Sequence, residues 1–378
     1  MSPRDRKKQP GPKKILALDG GGILGLISIE VLGRIESLLR EREEKSDLVL
    51  ADYFDFVAGT STGAVISSLV SLGLSVEQIR QFYIECGPQM FDRACLLERL
   101  NYEYDSEPLA KKLQETLGTD RDGDPDSGLA TLGTDRLRTL LMVVTRNVTT
   151  DSPWPITNNP EAKYNDRSRD DCNLKLPLWQ VVRASTAAPS YFPPEVVDIG
   201  PRRFVFVDGG VTTYNNPAFL AFVTATTGPY NINWTAGERD MLVVSVGTGD
   251  YAREQPGITP GQMNLLYTAK NTPGALMNAA SAGQDMLCRT FGKCLSGDPI
   301  DREVGDLIGA SRPVAQPLFT YMRYNPDVSR KGLDALGLPD VQPGHVQLLD
   351  SIKYIDEIRQ VGEAVGRLKV KAEHFEGF

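Results

Sequence analysis

Over the first 250 positions, short apolar runs alternate with longer stretches in which apolar residues recur at helical spacing. Lys14-Ile15-Leu16-Ala17-Leu18 has the length of a buried strand and leads into Asp19-Gly20-Gly21-Gly22. Ile27, Val31, Ile35 and Leu38 then repeat every three or four residues, which predicts a helix with one core-facing stripe, ending in the charged stretch Arg40 to Lys45. Phe54-Asp55-Phe56-Val57-Ala58 reads as a second strand, followed by Gly59-Thr60-Ser61-Thr62-Gly63 and a helix to about Leu72. Residues 75–115 carry a helical pattern interrupted near Cys86-Gly87-Pro88, and 118–130 is a polar, glycine-rich loop. Strand-like runs return at Thr139–Thr145, Arg203–Val207 and Met241–Val246. Strands alternating with helices predict a mainly parallel sheet covered on both faces. Beyond residue 250 the pattern turns to helices and loops, with an amphipathic helix near Ile352–Leu368.

These patterns divide the chain into a basic flexible tail (1–13), an α/β unit (14–250) and a C-terminal helical elaboration (251–378) packed on the same domain. The tail matters because of its charge. Residues 1–14 carry a net +5 in a chain of net charge −8, so the body is strongly acidic. An acidic body argues against general nucleic-acid binding. The tail itself reads either as a solvated end or as a contact for anionic lipid or nucleic acid. Its polar character also argues against a signal peptide, and no apolar run reaches the length of a membrane span. Five scattered cysteines without a C-x-x-C pair fit reduced thiols in a cytoplasm and give no zinc pattern. Asp120, Asp122 and Asp124 alternate like a calcium loop, but Pro125 and Thr131 stand where that loop needs Gly and Glu.

Three polar residues follow apolar runs directly and are bracketed by glycine: Asp19, Ser61 and Asp208. A serine between Gly59 and Gly63, at a strand-to-helix junction, is how a chain exposes one hydroxyl for nucleophilic attack. The turn is tight, so the flanking positions need residues without side chains, and the following helix start favours negative charge. The loop Gly20 to Gly25 has two readings. It fits the G-x-G-x-x-G of a dinucleotide site, or it offers the amides of Gly20, Gly21 and Gly22 as an oxyanion hole. The dinucleotide reading wants an acid at the end of the next strand, and that strand ends at Ser61 instead.

A base for the serine has two candidates. Only His345 and His374 exist, and the order Ser61, Asp208, His345 matches an α/β-hydrolase triad. Asp208, in Phe204-Val205-Phe206-Val207-Asp208-Gly209-Gly210, would instead serve directly, provided that burial or coupling to the hydroxyl strengthens it. Trp154, between two prolines, reads as a core anchor or an interfacial contact. Pro189-Ser190-Tyr191-Phe192-Pro193-Pro194 reads as an acyl-channel wall or a packed loop.

Four ordered blocks give the sequence a resemblance to the patatin-like phospholipases over roughly residues 14–250. They are Asp19–Gly25, Gly59–Gly63, Ala184-Ser185-Thr186-Ala187-Ala188-Pro189, and Asp208-Gly209-Gly210 with Asn215-Asn216-Pro217. The resemblance implies a three-layer α/β/α fold, a Ser61–Asp208 dyad without histidine, no cofactor or metal, and hydrolysis of membrane phospholipid esters at the membrane surface. It also leaves room for a cytoplasmic anti-phage effector switched on by a cyclic nucleotide, and for a homo-oligomer. Leu24 departs from the Arg or Lys that the family often carries before the last glycine of the first block.

Overall fold

The protein is described by a computed structural model in which residues 3–90, 104–119, 128–251 and 257–378 are placed. Among the described residues there are nine strands, β1 (Lys13–Leu18), β2 (Phe56–Thr60), β3 (Leu140–Asn147), β4 (Ser152–Thr157), β5 (Glu195–Ile199), β6 (Arg202–Asp208), β7 (Met241–Val246), β8 (Lys293–Ser296) and β9 (Thr320–Tyr324). They form one sheet in the order β5-β6-β3-β2-β1-β7-β9-β8, with β4 also paired to β3. The path from β3 to β8 is parallel throughout, while β4, β5 and β6 run antiparallel to their neighbours.

The helices are α1 (Pro3–Lys8), α2 (Gly25–Glu43), α3 (Leu50–Tyr53), α4 (Thr62–Ser71), α5 (Val76–Met90), α6 (Glu107–Leu117), α7 (Leu178–Ser185), α8 (Ala218–Thr226), α9 (Leu265–Phe291), α10 (Arg330–Ala335) and α11 (Ile355–Lys369). Alternate residues of the central strands feed two cores. Leu16, Leu18, Val57, Val143, Val244 and Tyr324 pack with α2, α4 and α11 on one face. Ile15, Ala17, Phe56, Met142, Val243 and Tyr321 pack with α8 on the other. Strands buried on both faces read as continuous apolar runs, which is why the runs were visible in the sequence. The architecture is three-layer α/β/α.

α11 lies against α2 through glycines. A Cβ on Gly362 would stand 2.7 Å from both Glu30 Cβ and Ile27 O, and one on Gly366 would stand 3.0 Å from Arg34 Cβ. The apolar stripe expected on α2 is buried as the spacing implies.

Several expectations change. The segment 3–13 is not a free tail: α1 is docked, with Arg6 buried, donating to Ala51 O at 2.5 Å and lying 3.7 Å from Asp55. Trp234 Nε1 also donates to Lys7 O at 3.0 Å. A cation with a carboxylate and carbonyls to meet binds rather than dangles. The region beyond 250 is not purely helical, because β8 and β9 extend the sheet; their short runs lack a helical or alternating signature. β4 and β5 also went unread. α5 passes straight through Cys86-Gly87-Pro88. The calcium-like Asp120, Asp122 and Asp124 lie outside the described residues. Trp154 sits in β4 with its ring 5.1 Å from Phe204 and 5.5 Å from Phe206, a core anchor.

Candidate active site

β3 acts as a ruler for the site. β2 runs parallel along one edge of β3 and ends with Thr60 opposite Val144. β4 occupies the other edge. β6 therefore meets β3 on the edge that β2 has vacated, antiparallel, with Asp208 opposite Thr145. The last residues of β2 and β6 thus converge head to head, one ladder position apart. Asp208 does not sit on the common carboxyl edge of parallel strands, as the apolar run before it suggested. It arrives from the opposite direction and reaches the same point.

There the Ser61 hydroxyl donates to Asp208 Oδ2 at 2.6 Å. Oδ1 of the same carboxylate accepts the Gly210 N–H at 2.6 Å, which fixes the carboxyl plane. Ser61 has φ 54 and ψ −122, a left-handed conformation that costs a side-chain-bearing residue roughly 1–3 kcal/mol. Its neighbours explain the glycines. A Cβ on Gly59 would fall 2.1 Å from Gly63 O, and one on Gly63 would fall 2.2 Å from Leu18 O. The strain is held by two clamps. The Ser61 N–H donates to Ser185 Oγ at 2.9 Å, and Ser185 donates onward to Val144 O at 2.6 Å. Thr62 Oγ1 lies 2.5 Å from the buried Tyr83 hydroxyl.

Asp208 is fully enclosed, and burial raises its pKa from 3.8 to about 6 against the opposing pull of Ser61, the Gly210 amide and the Arg183 charge. Desolvation is the dominant cause. A carboxylate so placed is a far better base than a free aspartate.

The polyglycine loop faces the serine. Gly20 has no room for a side chain, since its Cβ would meet Asn215 Oδ1 at 2.4 Å and Ser61 Cβ at 3.0 Å. Its amide, however, is committed to Asn215 O at 3.2 Å. Among the described residues the amides of Gly21 and Gly22 have no acceptor, so the open donors are two of the three expected. Gly22 (φ +59) abuts Leu349 O, which also accepts the Ile23 N–H at 2.9 Å. Gly25 lets α2 approach Thr62, and Gly209 lets the chain cross Val144 O. Asp19 is turned away from the serine into a buried two-pronged ion pair with Arg323, at 2.6 and 2.8 Å. Thr248 donates to Gly20 O at 2.9 Å, tying the end of β7 to the loop.

His345 is not brought to the serine. Its Nδ1 lies 3.0 Å from both Glu357 carboxylate oxygens, and its ring stacks on Tyr354 at 3.6 Å. His374 pairs with the Tyr324 hydroxyl at 2.7 Å in the core. Among the described residues no cluster of three or more His, Cys, Asp or Glu is arranged to hold a metal ion, and no helix is long and apolar enough to cross a membrane. The reading of the sequence missed Arg323, Tyr83 and the part played by Ser185. Ser185 stood inside a quoted block, but nothing in the order of residues signals that Arg323, 304 positions away, answers Asp19.

Residues 16–222 match the family model for patatin-like phospholipases. Patatin-17 of Solanum cardiophyllum is 29% identical over 273 residues, covering 68% of this chain and 63% of its own. Patatin-2-Kuras 4 of Solanum tuberosum is 29% identical over 275 residues, covering 68% and 66%. The chain thus spans just under two thirds of the length of these relatives. VipD from Legionella pneumophila aligns over 93% of this chain and 67% of its own at 14% identity, with a TM-score of 0.34. The chain belongs to the patatin-like phospholipase family.

Proposed function

We propose that this family member is a serine acyl hydrolase acting on fatty-acyl esters of membrane phospholipids, with Ser61 as nucleophile and Asp208 as its base. The observation that carries the reading is the 2.6 Å hydrogen bond from a strained, glycine-bracketed serine to a buried carboxylate. Ser61 attacks the ester carbonyl as its proton passes to Asp208. The amides of Gly21 and Gly22 receive the developing oxyanion, each such donor contributing about 2.7–4 kcal/mol to the transition state. The start of α4 adds a favourable field. Asp208 then protonates the departing alcohol, leaving an acyl-Ser61. Water that gives its proton to Asp208 cleaves this ester and restores the hydroxyl.

The test is fatty-acid release from phospholipid vesicles. Ser61→Ala and Asp208→Asn should each lower it by roughly 10⁴-fold or more, whereas His345→Ala should leave it intact. A fluorophosphonate should label Ser61 in the parent protein. Full activity in Ser61→Ala would end the reading.

Activation by a cyclic nucleotide, as in an anti-phage effector, is a second reading with one structural handle. A charged cleft of 580 Å³ between α2, α5 and α11 is lined by Arg34, Arg40, Arg80 and Arg367 together with Glu30, Glu36, Glu77 and Glu363. Its volume lies in the range of small-ligand pockets, while Arg40 is paired there with Glu36 and Arg80 with Glu30 and Glu77. Ligand-free enzyme should gain activity with one member of a panel of cyclic di- and trinucleotides and lose that gain in Arg34→Glu. Flat activity across the panel removes the reading.

A further inference from the structure

The stretch that covers the rim of the site is almost without charge. Lys270 is the single charged residue between Gly257 and Gln284, in a chain that is 24% charged overall. Such a stretch would ordinarily be buried. Here it is on the outside: Thr272, Ala275, Leu276, Asn278 and Ala279 of α9 are exposed, and Leu276 and Met263 are 65% and 58% accessible. The same helix is tied to the site. Ser281 accepts from Asn215 Nδ2 at 3.3 Å, and the Met277 methyl lies 3.5 Å from where a Gly210 Cβ would stand. Exposed Val211 follows Gly210 directly. On the oxyanion side, Leu348 is 54% accessible and precedes Leu349, whose carbonyl holds Ile23. Single exposed apolar residues are ordinary, but a set on separate segments, each joined to one site, marks an interaction surface.

We infer that residues 257–283, with Leu348 and Val211, form the surface by which the protein seats on a lipid bilayer, and that this seating responds to lipid packing rather than lipid charge. The inference rests on the proposed lipid substrate, whose acyl chains lie within a bilayer that must meet the rim. A second copy seated there would cover the entrance instead. From Thr272 to Gly283 the polar positions of α9 are Thr272, Asn278 and Ser281, and with Lys270 as the one cation of the stretch this face offers little attraction to anionic headgroups, while the acidic body opposes them. Binding then depends on inserting small apolar groups where headgroups are spread apart, as on strongly curved membranes.

The experiment uses full-length Ser61→Ala protein and vesicles of dioleoylphosphatidylcholine, read by co-sedimentation. Small sonicated vesicles should bind several-fold more protein than large extruded ones, with no loss on raising the salt. Leu276→Glu and Met263→Glu should each weaken binding by roughly tenfold. In the Ser61 background the same changes should lower hydrolysis of vesicles while sparing a soluble short-chain ester. Unchanged binding in both variants would overturn the inference. So would binding confined to anionic vesicles at low salt, or a dimer in light scattering that Leu276→Glu dissociates. If the soluble ester is not cut by the parent protein, the acyl-hydrolase reading fails, while the sedimentation arm still reads the surface.

Discussion

A carboxyl that titrates at about 6 when folded and near 3.8 when exposed makes Asp208 a liability to the fold wherever it is ionised. Below pH 3.8 both states hold the proton and the residue is neutral toward stability. Between the two values the native state binds protons that the unfolded state has lost, so stability falls as pH rises, and the penalty is complete above pH 6. Its size is about 3 kcal/mol for a shift of roughly two units. Asp208→Asn should therefore abolish activity and yet raise the unfolding temperature at pH 8, with no difference at pH 3.5; melting curves at both values check it. In the parent, kcat/KM for a soluble ester should climb tenfold per unit below pH 6 and level off above, because only the ionised carboxylate can take the serine proton. A profile that climbs instead around the range of an ordinary aspartate would show that burial does not tune this base.

Ser185 and the helix-packing glycines act at the level of elements. Ser185 joins the end of β2 to β3 through one hydroxyl, and its loss frees the Ser61 amide to relax. Ser185→Ala should lower kcat by ten- to a hundredfold with KM little changed, since a shift of about 1 Å at a nucleophile has that cost. Ser185→Thr, which keeps the hydroxyl, should recover most of the loss. Gly362→Ala presses a methyl onto the α2 backbone and should destabilise by about 1–3 kcal/mol without altering the dyad. Chemical denaturation beside an activity assay separates the two substitutions.

For the whole molecule, the ion pair between Asp19 and Arg323 joins the end of β1, the first strand in the chain, to β9, the last, which lies two strands away in the sheet. Arg323→Leu leaves a buried carboxylate alone and should cost about 3–5 kcal/mol, with aggregation near growth temperature the practical readout. This is also where reading from sequence stops. Ile15 to Leu18 announces itself because burial on both faces leaves an unbroken apolar run, and Phe204 to Val207 does so by its apolar residues although Val205 and Val207 are only half-buried. Ser61 and Asp208 announce themselves through the glycines their turns require. β8 is four residues long, and β4 carries two prolines, so neither has a signature of its own. The partner of Asp19 and the direction of β6 depend on pairings between distant segments, and local pattern does not encode those. The same holds for Gly20, whose amide is spent on Asn215 for reasons visible only in space.

The meeting of β2 and β6 along β3 has one more consequence. Thr60, next to Ser61, and Asp208 pair with adjacent rungs of β3, so the spacing of the proposed nucleophile and base is governed by peptide geometry and not by how the outer layers lean. Changes to the loops around the entrance should therefore leave the spacing of the proposed pair intact, which makes the entrance the natural place to engineer selectivity.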